Sequence, residues 1–118
     1  MGKKILIIDD DEDILEFLEM EISELGFEVH AASGGKEGIQ KFNKVDPNLV
    51  LCDYVMPDVG GLEVLTKIRG KGRTPVLILS GHMSSETAKR LIKAGAQDVL
   101  EKPVDLTLLR MRVKSAAS

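Results

Sequence analysis

Three short runs that are apolar at every position constrain this chain more than any other feature. Residues 5–8, 49–52 and 76–79 read Ile-Leu-Ile-Ile, Leu-Val-Leu-Cys and Val-Leu-Ile-Leu. A strand of this kind must be covered on both faces, and such strands occupy the centre of parallel sheets that carry helices on each side. Helical patterns separate the runs, so the sequence predicts an α/β fold in which strands and helices alternate.

Two further segments and five helical patterns complete the predicted alternation. Residues 28–32 and 97–101 are less apolar, which is typical of strands nearer the edges of a sheet. Apolar spacing predicts helices over 11–25 and 36–44, around 62–68, over 84–94 and from 106 onward. Right-handed crossovers then predict a doubly wound (βα)5 three-layer sandwich, whose strand order the pattern leaves open. The 118 residues suit one such domain, spanning 1–118.

Residues of the types that begin and end helices stand at the predicted boundaries. Gly26 follows the first helix, where a residue in the left-handed conformation is expected. Ser84 or Ser85 and Asp105 are candidate N-caps of the last two helices, because their side chains can accept hydrogen bonds from free backbone amides. The side chains predicted to face the sheet from the fourth helix are Ala88, Leu91 and Ile92.

Charge and composition exclude several classes of protein. With 16 Lys and Arg against 19 Asp and Glu the net charge is -3, and only 3% of residues are aromatic. The basic surface and stacking side chains of nucleic-acid binders are missing, so no direct nucleic-acid partner is expected. No apolar run approaches the ~18 residues of a membrane-spanning helix, and the single cysteine, Cys52, cannot form an internal disulfide. These features predict a soluble, reduced, cytoplasmic protein without a membrane partner.

Polar side chains follow four of the five predicted strands, where each apolar segment ends. Asp9 and Asp10 follow the first, Asp53 the third, Ser80 the fourth and Lys102 the fifth. In open parallel sheets ligands bind beyond the carboxyl ends of the strands. The sequence therefore predicts that three carboxylates, a hydroxyl and an ammonium gather at one edge of the sheet.

Three gathered carboxylates need positive charge to be stable, because two of them about 4 Å apart repel by roughly 4 kcal/mol at an effective dielectric constant of about 20. Oxygen ligands without a nearby histidine or cysteine favour a hard cation, so the pattern predicts Mg²⁺, for which Mn²⁺ could substitute. Alternatively, the acidic run over 9–13 begins a helix, whose N-terminus favours negative charge. We assign that role to Asp11, Glu12 and Asp13 and keep the preceding two residues for the cation site.

Four segments of the chain together resemble a known family. They are Ile-Leu-Ile-Ile-Asp-Asp-Asp-Glu at 5–12, Asp-Tyr-Val-Met-Pro-Asp-Val-Gly-Gly at 53–61, Leu-Ser-Gly at 79–81 and Lys-Pro at 102–103. Over essentially its full length the chain resembles the receiver domains of two-component response regulators. This resemblance, rather than the residue pattern, implies a flavodoxin-like parallel five-stranded sheet in the order 2-1-3-4-5. It also implies a cis peptide bond between Lys102 and Pro103.

The resemblance implies phosphoryl transfer as the chemistry of the clustered carboxylates. Asp53 would accept a phosphoryl group from the phosphohistidine of a sensor histidine kinase or a phosphotransfer protein. Mg²⁺ would be held by Asp10, Asp53 and the backbone carbonyl of Val55, while Asp9 would act mostly through a coordinated water. Such a protein is a phosphorylation-activated switch that modifies only itself, and not an enzyme acting on an external substrate.

The same resemblance assigns Lys102 to charge neutralisation on the transferring group and Ser80 to a hydrogen bond with the new phosphate. Receiver domains commonly carry Tyr or Phe three residues before this lysine, at the switch position. Here that residue is Val99, which cannot reproduce the movement of a large ring. A coupled movement of Ser80 and an aromatic ring at the switch position is therefore not expected.

Output is expected through partner binding at the surface of helix four, strand five and helix five, which often receives partners in this family. Leu108 and Met111 fall outside the inward stripe of the last helix and predict contact with an unknown effector or a phosphorylation-dependent homodimer. Burial of these two side chains against the fourth helix is the alternative.

Two other functions are compatible with parts of the pattern. One is a receiver-like docking module indifferent to phosphate, an alternative that the Val99 departure makes less remote than usual. An Mg²⁺-dependent phosphatase of the haloacid-dehalogenase kind also unites aspartates, a hydroxyl and a lysine, but its DxDxT element would need threonine where this chain has Asp13. The chain is also short for that fold.

Overall fold

The computed structural model describes residues 2–117, in which five strands and five helices alternate along the chain. The strands are β1 Lys4–Ile8, β2 Glu28–Ala32, β3 Leu49–Asp53, β4 Val76–Ser80 and β5 Asp98–Glu101. The helices are α1 Glu12–Ser23, α2 Gly35–Val45, α3 Gly61–Arg69, α4 Ser85–Lys93 and α5 Leu106–Ala117. All strand pairs are parallel and the order is β2-β1-β3-β4-β5, which confirms the predicted (βα)5 fold and the flavodoxin-like order.

The three central strands separate two apolar layers, because alternate side chains of a strand point to opposite faces of the sheet. On one face Leu6, Val50 and Ile78 pack with buried residues of α2, α3 and α4. On the other, Leu51 and Leu77 pack with α1 and α5. Every residue of β3 and β4 is buried, whereas β2 and β5 are only partly buried, as predicted for edge strands. This burial on both faces makes the three-layer sandwich.

The helix ends lie within a few residues of their predicted positions. Gly26 has a φ of 95°, the left-handed conformation expected beyond α1, although that helix ends earlier than predicted, at Ser23. The Ser84 side chain caps α4 by accepting a hydrogen bond from the Thr87 amide. Asp105 caps α5 by accepting one from the Leu108 amide at 3.1 Å. Both N-cap assignments are therefore confirmed.

The prediction that Ile92 of α4 faces the sheet is wrong. Leu91 is fully buried, but Ile92 is 45% exposed. Consecutive residues of a helix point about 100° apart, so both could face the sheet only if α4 were covered on a wide sector. The only residue of α4 that is fully buried is Leu91, and Ile92 lies on its outer side.

Two further sequence expectations concern the single cysteine and the absence of a membrane-spanning helix. Cys52 is a fully buried free thiol inside β3, and burial raises its pKa well above the ordinary range, so the thiol is unreactive as expected. Among the helices within residues 2–117, none has the length and apolar character to cross a membrane.

Candidate functional site

The carboxyl ends of β1 and β3 bring three aspartates together. Ile8 pairs with Cys52 in the sheet, so Asp9 directly after β1 lies level with Asp53 at the end of β3. One carboxylate oxygen from each of Asp9, Asp10 and Asp53 lies within 4.8 Å of the other two. Asp9 and Asp53 are only 1% and 8% exposed, whereas Asp10 is exposed, which leaves the cluster open to solvent on one side.

Lys102 extends from the loop after β5 into the same cluster. Its Nζ donates a hydrogen bond to Asp9 Oδ2 at 3.1 Å and lies 3.0 Å from Asp53 Oδ1. The Lys102 backbone amide donates to the Ser80 carbonyl at 2.8 Å, which holds the lysine beside the end of β4. Burial by itself would lower the pKa of Lys102, but its hydrogen bonds to Asp53 and Asp9 outweigh burial and raise that pKa.

The charge balance of the cluster leaves room for a cation. Burial raises the pKa of Asp53, the hydrogen bond from Lys102 opposes that rise, and the charges of Asp9 and Asp10 add to it. With all four groups ionised, three carboxylates face one ammonium, so the cluster remains two charges negative. An oxygen-only donor set with this excess charge and an open side fits a hard divalent cation such as Mg²⁺.

Hydrogen bonds to the backbone divide the acidic run over 9–13 into two parts. Asp9 Oδ1 accepts from the Asp11 amide at 2.9 Å, which orients the Asp9 carboxylate in the cluster. The Asp11 side chain caps α1 by accepting from the Asp13 and Ile14 amides. Glu12 and Asp13 occupy the first helical turn, so the helix-start assignment for residues 11–13 is confirmed.

Of the remaining predicted site residues, Ser80 and Val55 lie at or beyond this edge, whereas Val99 lies within β5. Ser80 ends β4 and is 3% exposed, and its hydroxyl donates to the His82 carbonyl at 3.2 Å. Val55 lies in the loop over residues 54–60, called here the β3–α3 loop, and is 70% exposed. Val99 on β5 pairs with Ile78 and packs, partly buried, against the layer that contains α4. The Lys102–Pro103 peptide bond is cis, as predicted.

One contact beside the site was absent from the sequence predictions. The Asp58 carboxylate, in the β3–α3 loop, accepts hydrogen bonds from the Gly35 and Lys36 amides at the start of α2. The only sequence signal was indirect, since Gly34 at the N-cap of α2 has no side chain that could cap the helix. The acceptor that replaces it lies more than twenty residues further along the chain, beyond the reach of local patterns.

Comparison with known families agrees with this geometry. A family model described as "Response regulator receiver domain" matches residues 5–114. The chain belongs to the response-regulator receiver family. Solved structures agree, since the receiver domain of the Francisella response regulator 1452 superposes with a TM-score of 0.93 at 32% identity, covering 98% of this chain and 97% of that one. The Vibrio cholerae chemotaxis protein CheY4 gives a TM-score of 0.92 at 26% identity, covering 98% and 99%.

Curated relatives are larger regulatory proteins of which this receiver domain matches a part. Regulatory protein AtoC of Escherichia coli (strain K12) is 34% identical over 114 residues, which cover 96% of this chain and 25% of that protein. The regulator of RpoS from the same strain is 36% identical over 115 residues, covering 96% and 34%. Transcriptional regulatory protein CrdR of Helicobacter pylori is 36% identical over 120 residues, covering 97% and 54%. The chain thus spans between 25% and 54% of these relatives.

Family membership decides the class of function. The chain is a receiver domain of a two-component response regulator, a signalling module controlled by phosphorylation. Receiver domains are switches that are not generally classed as enzymes, and they use Mg²⁺ at an acidic pocket, for which this chain has the aspartate cluster. Response regulators act with histidine kinases and effector domains. The phosphatase alternative receives no support from these matches.

Proposed function

We propose that Asp53 is the phosphoacceptor of this receiver domain, within a single domain over residues 1–118. The observation that carries this proposal is the pairing of a nearly buried carboxylate with the Lys102 ammonium beside two further carboxylates. Asp53 accepts a phosphoryl group from the phosphohistidine of a sensor histidine kinase or a phosphotransfer protein. We also propose a cytoplasmic location, which membership of the response-regulator receiver family supports.

The aspartate cluster is proposed to hold the cation. Asp10, Asp53 and the backbone carbonyl of Val55 would bind Mg²⁺, or Mn²⁺ in its place, and Asp9 would act through a coordinated water. A bound divalent cation supplies electrostatic neutralisation of the transferring phosphoryl group. Support comes from the three convergent carboxylates, the exposure of Asp10, and the position of Val55 two residues beyond Asp53 in an exposed part of the β3–α3 loop.

The chain's own residues then have distinct tasks. A carboxylate oxygen of Asp53 attacks phosphorus, the phosphorus–nitrogen bond of the donor breaks, and the imidazole keeps the electron pair and takes up a proton. Lys102, already within hydrogen-bonding distance of Asp53, balances the charge of the phosphoryl oxygens. The Ser80 hydroxyl leaves the His82 carbonyl and donates to a phosphoryl oxygen, which moves the loop after β4.

Incubation with acetyl phosphate tests this function. We expect intact-mass measurement to show addition of one phosphoryl group in Mg²⁺ and almost none in EDTA, because the cluster without a cation repels an anionic donor. Addition that is independent of metal, or no addition at all, would contradict the proposal. Sustained turnover of a small phosphate ester under the same conditions would instead favour the phosphatase.

The partner surface is proposed to include α4, β5 and α5. Leu108 is 37% exposed and Met111 is 62% exposed, so Met111 in particular is not buried against the fourth helix. Ile92 on α4 adds a third exposed apolar side chain. Arg112 pairs with Asp98 across β5 and α5, so charged groups flank the same region. We propose that an effector, or a second copy of the chain, binds here after phosphorylation.

Replacing both Leu108 and Met111 by lysine tests this surface. We expect the double variant to take up phosphate normally but to lose phosphorylation-dependent association, because two charges would be brought into an apolar contact. Light scattering of acetyl phosphate-treated protein measures a homodimer, and binding of an isolated effector measures the other partner. Association equal to that of the wild type would remove Leu108 and Met111 from the interface.

Val99 keeps the docking-module alternative open to experiment. Its side chain is partly buried against the core and has no ring to turn toward Ser80. If partner binding is the same for the wild type with and without acetyl phosphate and for Asp53→Asn, the chain docks independently of phosphate. A difference between these states assigns the output to the switch.

A further inference from the structure

Helix α2 begins without a capping side chain of its own. Its N-cap is Gly34, which is extended and has no side-chain acceptor for the free amides of the first turn. The Asp58 carboxylate takes that place from the β3–α3 loop. Its Oδ1 accepts from the Gly35 amide at 3.2 Å and its Oδ2 accepts from the Lys36 amide at 3.0 Å. Several backbone hydrogen bonds lower the pKa of Asp58, and the bond from the Lys36 amide has the largest effect.

The β3–α3 loop and α2 are also in close steric contact. A Cβ atom added to Gly35 would lie 2.3 Å from the Val59 carbonyl oxygen, so the loop backbone rests directly on the first turn of the helix. Further along α2, a Cβ atom added to Gly38 would lie 2.4 Å from Ile8 Cδ1. Helix α2 is therefore packed against the loop at its start and against β1 one turn later.

The other end of the loop is anchored at the phosphoacceptor strand. The Gly61 amide donates to the Tyr54 carbonyl at 2.7 Å, and a Cβ atom added to Gly61 would lie 2.6 Å from the Asp53 carbonyl oxygen. These contacts hold the base of the loop against the end of β3. Val55 lies between this base and the Asp58 attachment, on the exposed side.

We infer that Asp58 is a positioning residue for the cation site. Strand β1, on which α2 packs, leads through Asp9 into Asp10, whereas the β3–α3 loop carries Val55. By joining the β3–α3 loop to α2, the Asp58 carboxylate therefore fixes the position of Val55 relative to Asp10. This inference rests on the proposed function, because it concerns the Mg²⁺ site assigned there. In this assignment Asp58 contacts neither the cation nor the phosphoryl group and acts through the loop.

Calorimetric titration of the unphosphorylated protein with Mg²⁺ tests the inference without any activity readout. We expect Asp58→Ala to raise the Kd for Mg²⁺ about tenfold, the lower end of the effect of losing a residue that orients a metal ligand. Asp58→Asn removes the same charge but keeps one acceptor oxygen, so it can still accept from one of the two amides and cap the helix, although its NH2 group cannot accept from the other. We expect its Kd to stay within about threefold of the wild type.

Glu37 provides a matched control at the same end of α2. Its Oε1 accepts from the Ser33 amide at 2.7 Å and from the Ser33 hydroxyl at 3.0 Å. Glu37→Ala therefore removes one carboxylate, two hydrogen bonds and an ion pair with Lys41 at 3.5 Å, but none of these contacts reaches the β3–α3 loop. We expect its Mg²⁺ affinity to equal that of the wild type.

Each outcome of this series decides between named alternatives. An unchanged Kd for Asp58→Ala overturns the positioning role. Equal weakening by Asp58→Asn also overturns it, because the acceptor oxygen that asparagine keeps would then have no effect. Equal weakening by Glu37→Ala assigns the effect to general stability of α2. Asp10→Asn tests the site itself, since Mg²⁺ binding that survives this change contradicts the proposed function whatever Asp58 does. Thermal melting in EDTA verifies that each variant folds. If Asp58→Ala does not fold, Asp58→Ser, whose single acceptor sits on a shorter side chain, takes its place with the same expected weakening of Mg²⁺ binding.

Discussion

Replacing Asp53 by asparagine is expected to abolish uptake of a phosphoryl group from acetyl phosphate. The amide has nearly the same shape as the carboxylate, but it is neutral and a poor nucleophile, so the rate should fall by about 10³-fold or more. The time course of intact mass in Mg²⁺ measures this directly. Peptide mapping of the wild type should place the phosphoryl group on Asp53 and leave Asp9 and Asp10 unmodified.

The same substitution should raise stability when no cation is present. Burial, with the added charges of Asp9 and Asp10, raises the pKa of Asp53 despite the opposing hydrogen bond from Lys102. A carboxyl whose folded-state pKa is raised stabilises the fold below its unfolded pKa, and that contribution is lost as pH rises through the folded-state value. In EDTA at neutral pH, Asp53→Asn should therefore melt at a higher temperature than the wild type, and the difference should shrink on acidification.

Mg²⁺ should reverse the order of these two stabilities. At a concentration of about one hundred times its Kd, a ligand that binds only the folded state adds about 2.7 kcal/mol. The wild type should gain this stabilisation and Asp53→Asn should gain much less.

Asp46→Asn is a matched control, because Asp46 is exposed at the end of α2 with a φ of 52° that asparagine tolerates. If Asp53→Asn took up phosphate as fast as this control, the phosphoacceptor would be another residue.

Replacing Lys102 by methionine is the second large expected effect. The change leaves Asp9 and Asp53, which are almost buried, without their shared cation. Removing one partner of a fully buried ion pair costs about 3–5 kcal/mol and of an exposed pair about 0–1 kcal/mol. Since the Lys102 side chain is 20% exposed, we expect a loss of about 2–3 kcal/mol in EDTA, measured by urea unfolding.

The same variant should separate cation binding from phosphoryl transfer. Without the Lys102 ammonium, no positive side chain repels Mg²⁺ at the aspartate cluster, so the affinity of the cluster for Mg²⁺ should rise by about tenfold. Uptake from acetyl phosphate should nevertheless slow by about a hundredfold, because the charge of the phosphoryl oxygens loses a preorganised partner. Lys93→Met, at the exposed end of α4, should change none of these quantities. Weaker Mg²⁺ binding by Lys102→Met would mean that the lysine mainly holds the carboxylates in place.

The residue pattern predicted the layers of the fold because burial on both faces leaves a direct signature. Leu51 and Ile78 belong to runs without a polar position, and such runs have few alternatives to the centre of a parallel sheet. The strand order came from the family resemblance, since many orders satisfy the same crossovers. Ile92 was misplaced because α4 is covered on a narrow sector that its apolar spacing did not reveal.

The site shows the same division between local and long-range information. Asp53 and Lys102 were predictable because each directly follows a strand, and parallel strands end at one edge of the sheet. The bond from the Ser80 hydroxyl to the His82 carbonyl and the cap that Asp58 forms on α2 were not predictable. They depend on the exact paths of two loops, on which periodicity carries no information.

By itself, the amino-acid sequence determined the alternation of strands and helices, the edge at which the carboxylates meet and the family to which the chain belongs. The first two follow from burial and residue order along single elements, and the third follows from motifs in four segments taken together. Only the tertiary structure decided that Lys102 bridges Asp9 and Asp53, and that Asp58 joins the β3–α3 loop to α2. Such contacts join residues distant along the chain, and their geometry exists only when the whole sheet and its helices have assembled.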